Sequence, residues 1–161
     1  MKDDKKVIYT AKKIEEMKAE LDDLINVQKP ANLEALQLAR SQGDLSENAD
    51  YDAAKKLQGE IETRIVELTN KLEHATTADN SSSKTIGTTD FVTFKNLAKN
   101  EEITVQVVSS DESDVLASPA KISSSSPLGK VLIGKAASSK PVLVEAARPY
   151  EIEILSFHHA E

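Results

Sequence analysis

The apolar residues of this chain keep one period up to about residue 75 and another after it. No single-layer fold accommodates that switch. Ile14, Met17, Leu21, Leu24, Gln28, Ala31, Ala35 and Leu38 recur at alternating steps of three and four, a heptad seam with Gln28 as its polar member. Thr10 stands where such a helix needs an N-cap. Pro30 falls inside the seam. Because the stripe continues in phase beyond it, the proline is expected to kink the helix rather than end it. A second stripe, Ala54, Leu57, Ile61, Ile65, Leu68, Leu72 and Ala75, has the coiled-coil period, with Glu60, Glu62, Arg64, Glu67 and Lys71 off the seam. Two helices of about thirty residues, rising ~1.5 Å per residue, predict an antiparallel hairpin roughly 45 Å long.

Small polar residues take over at Thr76-Thr77-Ala78-Asp79-Asn80-Ser81-Ser82-Ser83 and predict a domain boundary. We therefore expect a coiled-coil hairpin over 1–79 and a β-rich domain over 80–161, an α+β chain. Phe91–Phe94 and Ile103–Val108 read as antiparallel strands joined through Asn96–Asn100. Asp111–Asp114 reads as a turn. Pro141–Glu145 and Tyr150–Leu155 read as a last antiparallel pair around Arg148-Pro149. Between them Pro127 is placed to open one short helix.

Composition narrows the function classes. There is no Cys, hence no disulfide framework, thiolate zinc site or thiol nucleophile. No apolar run reaches the roughly 18 residues of a membrane span, and the charged start has no apolar segment behind it, so a cytoplasmic protein without membrane contact is expected. The net charge of −7 is carried by both halves, with no basic stripe. Such a chain is a poor autonomous nucleic-acid binder, and contact with DNA or RNA is expected to be local or shared with a partner protein. His158 and His159 have no third ligand nearby in sequence and read as a solvated tail.

The turn between the two heptad segments is the one place where chemistry concentrates. Gly43 is the sole glycine before Gly59, and it predicts the end of the first helix. Asp44 and Glu47 are spaced D-x-x-E, which predicts a capping box at the start of the second helix. Asp50 and Asp52 follow, so four carboxylates crowd the turn. The macrodipole favours acids in a first helical turn by about 0.3–1 kcal/mol each, but a hairpin end needs only one cap.

The run Ala39-Arg40-Ser41-Gln42-Gly43-Asp44-Leu45-Ser46-Glu47-Asn48-Ala49-Asp50-Tyr51-Asp52-Ala53-Ala54 resembles the coiled-coil tip of the bacterial GreA/GreB transcript-cleavage factors. The resemblance extends to the mid-helix proline, to Ile86-Gly87, and to Ser126-Pro127 followed by Leu132-Ile133-Gly134-Lys135. Leu45 stands where GreB-like tips carry a basic residue, so the tip is nearer the GreA form. The resemblance implies an FKBP-like C-terminal domain that docks at the mouth of the RNA polymerase secondary channel while the coiled coil passes down it. Asp44 and Glu47 match the family's two essential tip acids. They are implied to help hold a second Mg²⁺, shared with the polymerase's own aspartates, for hydrolysis of the backtracked nascent RNA at its 3′ end. Hard oxygen donors fit Mg²⁺, and two carboxylates on one turn bind it only weakly alone. The protein is then no enzyme itself but a monomeric activator of polymerase, with no cofactor bound in isolation.

Arg40, Lys55, Lys56 and Tyr51 are the implied RNA contacts. Solvated lysines on a coiled-coil flank, and a tyrosine packed on the first helix, are the structural alternatives. Ser126 and Pro127 align with the polymerase-docking loop, where Ser125 replaces the acidic or amide residue that often precedes the serine. Three further readings stay open: an inhibitory paralogue of the same family, a prolyl isomerase, and a coiled-coil adaptor. An isomerase needs an aromatic-lined pocket, for which Phe91, Phe94, Tyr150 and Phe157 are a thin set.

Overall fold

A computed structural model of the chain describes residues 6–43, 48–78 and 83–160. The chain divides into two units: Ile14–His74, and the residues up to Lys13 together with those from Ala75 onward.

The first unit is helical. Helix α1 (Ala11–Asp23) opens on Thr10, whose Oγ1 accepts from the Lys13 N–H at 3.1 Å, as the sequence predicts. It runs into five residues of π-helix (Leu24–Gln28), then α2 (Lys29–Ser41), with Pro30 in its first turn. The Lys29 N–H reaches back five residues to the Leu24 carbonyl. The helix thus passes the proline without ending, and the lost backbone bond falls next to the wide turn. Helix α3 (Ala49–Glu73) returns antiparallel. Arg64 forks onto Glu20 (2.7 and 3.0 Å), and the Asn32 Nδ2 donates to the Ala54 carbonyl at 2.9 Å.

The π-turn has a consequence that corrects the seam. An extra residue in one turn advances the helix face by one position. Met17 and Leu24 are buried as expected, but beyond the π-turn Asn32, Leu36 and Ala39 are buried while Ala31, Ala35 and Leu38 are exposed. Each buried position is one residue later than an uninterrupted heptad places it. On α3 the burial follows Ala54, Ile61 and Leu68, a strict seven-residue step. Asn32→Ala is therefore expected to lower the hairpin's stability by ~1 kcal/mol through its buried hydrogen bond. Leu38→Gln, on the seam the heptad alone picks, is expected to cost under ~0.5 kcal/mol. Urea midpoints of the full chain check the order, and the reverse order would return the buried seam to Ala31, Ala35 and Leu38.

In the second unit, β1 (Val7–Ile8) pairs in parallel with β2 (Ala75–Thr76), two short strands the sequence reading missed. Ala75, expected on the helical seam, lies in β2 because α3 ends at Glu73. Strands β3 (Phe91–Asn96), β4 (Glu101–Val108), β5 (Ala120–Ser123), β6 (Val142–Val144) and β7 (Tyr150–His158) form one mixed sheet in the order β5-β4-β3-β7-β6. Only β4 and β5 run parallel. The two predicted hairpin pairs are present, and β3 joins them through β7, with a bulge in the pairing between Thr93 and Phe94. Helix α4 (Pro127–Leu132) opens on Pro127. Its Leu132 joins Ile86, Val92, Phe94, Val105, Val107, Val144, Ile152 and Ile154 in the core. The period-two face of β3 and β7 supplies this core, as alternation requires.

The predicted turn at Asp111–Asp114 is a 3₁₀ turn over Ser110–Glu112, and it anchors the N-terminal strand. Tyr9 Oη donates to Asp111 Oδ2 at 2.6 Å, and the Thr10 N–H and Oγ1 donate to the two oxygens of buried Glu112 at 2.9 and 2.6 Å. Burial, and then the bond to Asp111, push the Tyr9 hydroxyl far above the ordinary phenol value. Nothing in the local sequence links residues 102 positions apart, which is why the contact was not foreseen.

Candidate functional site

The hairpin end is built from α2, Gly43 and the start of α3. Helix α2 closes with the Gln42 N–H on the Ala39 carbonyl at 3.2 Å, and Gly43 follows at φ +122°, a region that favours glycine. On the other side Asn48 is the N-cap of α3. Its backbone is extended (φ −92°, ψ 96°), and its Oδ1 accepts from the Tyr51 N–H at 3.0 Å. Its Nδ2 donates to the Ala39 carbonyl at 2.6 Å, so one amide side chain both caps α3 and holds it to the last turn of α2.

This corrects the expected capping box. Helix α3 starts at Ala49, after the D-x-x-E pair, with Asn48 rather than Asp44 as its cap. The physical reason lies in the side chains: Asn caps as well as Asp and, unlike a carboxylate, also donates. The signal was present as Asn48 followed by two acids in the first turn, Asp50 and Asp52. Asp44 and Glu47 themselves lie outside the described residues, and Asp50 and Asp52 are exposed.

Arg40 and Tyr51, named from opposite sides of the turn, come together. The guanidinium carbon lies 5.9 Å from the centroid of the tyrosine ring, within cation–π range. Tyr51 is half-buried and so packs toward α2, with Arg40 exposed above it. Lys55 Nζ reaches Gln58 Oε1 at 3.3 Å along the same helix, and Lys56 is exposed. Next to this end is an apolar groove of about 370 Å³ lined by Ala35, Leu38, Ala53 and Leu57, with Asn32, Gln42 and Asp50 at its polar positions.

In the second unit, Ser126 is the N-cap of α4. Its Oγ accepts from the Gly129 N–H at 3.1 Å and donates to the Ser123 carbonyl at 2.6 Å. Pro127 is exposed at the first helical position, and Ser125 is exposed beside it, its hydroxyl in a triangle with Ser110 and Ser123 (2.8–3.0 Å). Ser126 and Pro127 are therefore a rigid corner. A cleft of about 560 Å³ in this unit is lined by Tyr9, Lys12, Phe91, Gln106, Pro119 and Lys121 among others. Of the four aromatic residues weighed for an isomerase pocket it takes in Phe91 alone, and Phe94 is core.

The expected solvated histidine tail is also corrected. His158 ends β7 and stacks on Phe91 at 5.0 Å between ring centroids, and His159 pairs with buried Asp90 at 3.0 Å. The strand runs three residues past its predicted end at Leu155 and carries both rings onto the sheet. Among the described residues, no group of three or more His, Cys, Asp or Glu is placed to hold a metal, and no helix is long and apolar enough to cross a membrane.

Comparison with known proteins covers both units. Residues 7–76 match the family described as transcription elongation factor, N-terminal, and residues 81–159 match transcription elongation factor, GreA/GreB, C-terminal. The transcription elongation factor GreA of Pelobacter propionicus is 46% identical over 149 residues, which span 89% of this chain and 92% of that protein. GreA of Mycoplasma mycoides is 37% identical over 155 residues, spanning 94% and 98%. Among solved structures, GreA factor homolog 1 of Thermus thermophilus is 27% identical and covers 96% of this chain and 99% of its own, with a TM-score of 0.43. The two family matches meet the helical hairpin and the mixed-sheet unit in chain order, and the relatives span nearly the whole sequence. The chain belongs to the GreA/GreB family of transcription elongation factors.

Proposed function

We propose that the protein rescues stalled bacterial RNA polymerase in the cytoplasm. It acts as a monomer, docking through its C-terminal unit and inserting the hairpin tip into the secondary channel. There it stimulates hydrolysis of the backtracked nascent RNA at its 3′ end. The observation that carries the reading is the hairpin end itself. Asn48 supplies the cap and the tie to α2, and the N-cap position of α3 is therefore filled by an amide rather than by one of the tip acids. Four acids at a turn whose helix takes its cap from Asn48, in a family of elongation factors, are best explained by a role outside capping.

The donor chemistry fits Mg²⁺. Asp44 and Glu47 offer hard carboxylate oxygens, and a short acidic turn cannot fill six positions, so the remaining ligands come from polymerase. Bound there, a second Mg²⁺ supplies charge neutralisation and an activated water for phosphodiester hydrolysis. The chain's own residues orient the end of the RNA. Arg40, stiffened over Tyr51, presents a guanidinium toward phosphate, while Lys55 and Lys56 add positive charge one to two turns along α3. Ser126 and Pro127 give the docking face a fixed corner. Polymerase supplies the catalytic aspartates, and the protein is an activator rather than an enzyme.

Adding the full-length protein to a halted, backtracked elongation complex with Mg²⁺ tests the reading. Faster release of a 3′ RNA fragment is the expected result. Slower cleavage than without the protein would identify an inhibitory channel binder, and no effect with no binding would remove polymerase as the partner.

A further inference from the structure

The end of β7 and the segment leading into β3 meet at a histidine whose two nitrogens both face acceptors. His159 Nδ1 lies 3.0 Å from Asp90 Oδ2, and Nε2 lies 2.9 Å from the Ser83 carbonyl oxygen. A neutral imidazole has one N–H and satisfies one such contact; the imidazolium has two and satisfies both. Asp90 is fully buried, and the Gly87 N–H donates to the same Oδ2 at 2.8 Å, fixing the carboxylate in place. The His159 side chain keeps 23% exposure, so water can deliver and remove the proton.

The other described neighbours do not compete for that proton. Phe157 meets the ring edge-on at 5.8 Å. His158 turns away to stack on Phe91, and Lys84, next to Ser83, is exposed. Among the described residues, Asp90 is the charged group that acts on the ring. The hydrogen bond to it, then the bond to Ser83, raise His159 above the ordinary histidine value.

We propose that His159 is a proton-operated clamp, which when protonated fastens Ser83 to buried Asp90 and when neutral can hold only one of them. Ser83 begins the run that leads through Ile86 into β3, and Ile86 is a core residue bonded to the Lys135 carbonyl at 2.8 Å. The clamp thus governs how firmly the segment after β2 is fastened to the sheet. A group raised in the folded state stabilises it fully below its unfolded value, about 6.5 for histidine. That contribution fades as pH rises through the higher folded value. The device is tight under mild acid and loosens toward alkaline pH.

Two measurements on the full-length protein test this. Imidazole ¹⁵N spectra are expected to show both His159 nitrogens protonated at pH 6, with a midpoint above that of a histidine in the urea-unfolded chain. Amide exchange, corrected for the intrinsic pH dependence, is expected to show several-fold less protection at residues 84–87 above that midpoint than below it. His159→Gln, which cannot take up a proton, is expected to lose the step. A His159 midpoint equal to the unfolded one, or the same exchange step in parent and His159→Gln, would overturn the clamp. If His159→Gln does not fold, the parent's two profiles decide alone, because coincident midpoints are required.

Discussion

Full-length protein carrying Asp44→Asn or Glu47→Gln is expected to bind RNA polymerase as the parent does and to cleave backtracked RNA at least about tenfold more slowly. A tenfold loss corresponds to ~1.4 kcal/mol of transition-state stabilisation, a modest demand on a positioned metal ligand. Both changes keep size and hydrogen-bonding capacity but remove the negative charge that a shared Mg²⁺ requires. The cap at Asn48 makes the experiment cleaner than the sequence alone suggests. With α3 capped by the Asn48 amide, even Asp44→Ala removes no N-cap, so helix content measured by circular dichroism is expected to stay at the parent level. Asn48→Ala is the contrasting variant: it removes the cap and the tie to Ala39 together, at a cost of ~1–2 kcal/mol. It is expected to lower helix content and cleavage alike. Raising Mg²⁺ is expected to recover part of the loss in Asp44→Asn, since a weakened site still fills by mass action, and none of the loss in Asn48→Ala. Parent-rate cleavage by both Asp44→Asn and Glu47→Gln would end the metal-delivery reading.

The contrast shows what the sequence carried and where it stopped. The heptad positions Met17, Leu24, Ala54, Ile61 and Leu68, the Thr10 cap, Pro127 at the start of α4, Gly43 at a helix end, and the two hairpin pairs of the sheet are local or periodic signals, and all are in the structure. The seam of α2 failed because the π-turn before Pro30 adds a residue that no apolar count reveals. Burial of Asn32, Leu36 and Ala39 instead of Ala31, Ala35 and Leu38 exposes the shift. The β1–β2 pair, the parallel edge strand β5 and the Tyr9–Asp111 contact join distant residues through strands too short to carry a pattern. At the tip, geometry was needed to separate the capping residue, Asn48, from the acids around it. The same holds for His159, whose partners are 69 and 76 positions away.

Gly129→Ala is expected to be the most damaging single change outside the tip. Gly129 is buried in α4, and a Cβ there would lie 2.1 Å from the Ser123 carbonyl oxygen and 2.9 Å from the Ser124 Cα. Both are backbone atoms, so no side chain can swing aside to relieve the overlap. The Ser123 carbonyl also accepts from the Ser126 N–H at 3.0 Å and the Ser126 Oγ at 2.6 Å. Pushing it away opens the corner that carries Ser126 and Pro127. Overpacking commonly costs ~1–3 kcal/mol, and contact with rigid backbone places this case at the upper end or beyond. That is a large share of the ~5–15 kcal/mol that holds a domain folded. Gly59→Ala is the control: it lies in α3 with nothing within 4 Å of an added Cβ, and it is expected to gain ~0.5–1 kcal/mol from helix propensity. Urea unfolding followed by tyrosine fluorescence is expected to show the midpoint falling in Gly129→Ala and rising slightly in Gly59→Ala. Competition with parent protein for polymerase gives the functional readout. Gly129→Ala is expected to compete poorly under conditions where it remains folded, whereas Asp44→Asn competes at parent strength. If Gly129→Ala binds polymerase as the parent does despite a lowered midpoint, the Ser126-Pro127 corner is not the docking point.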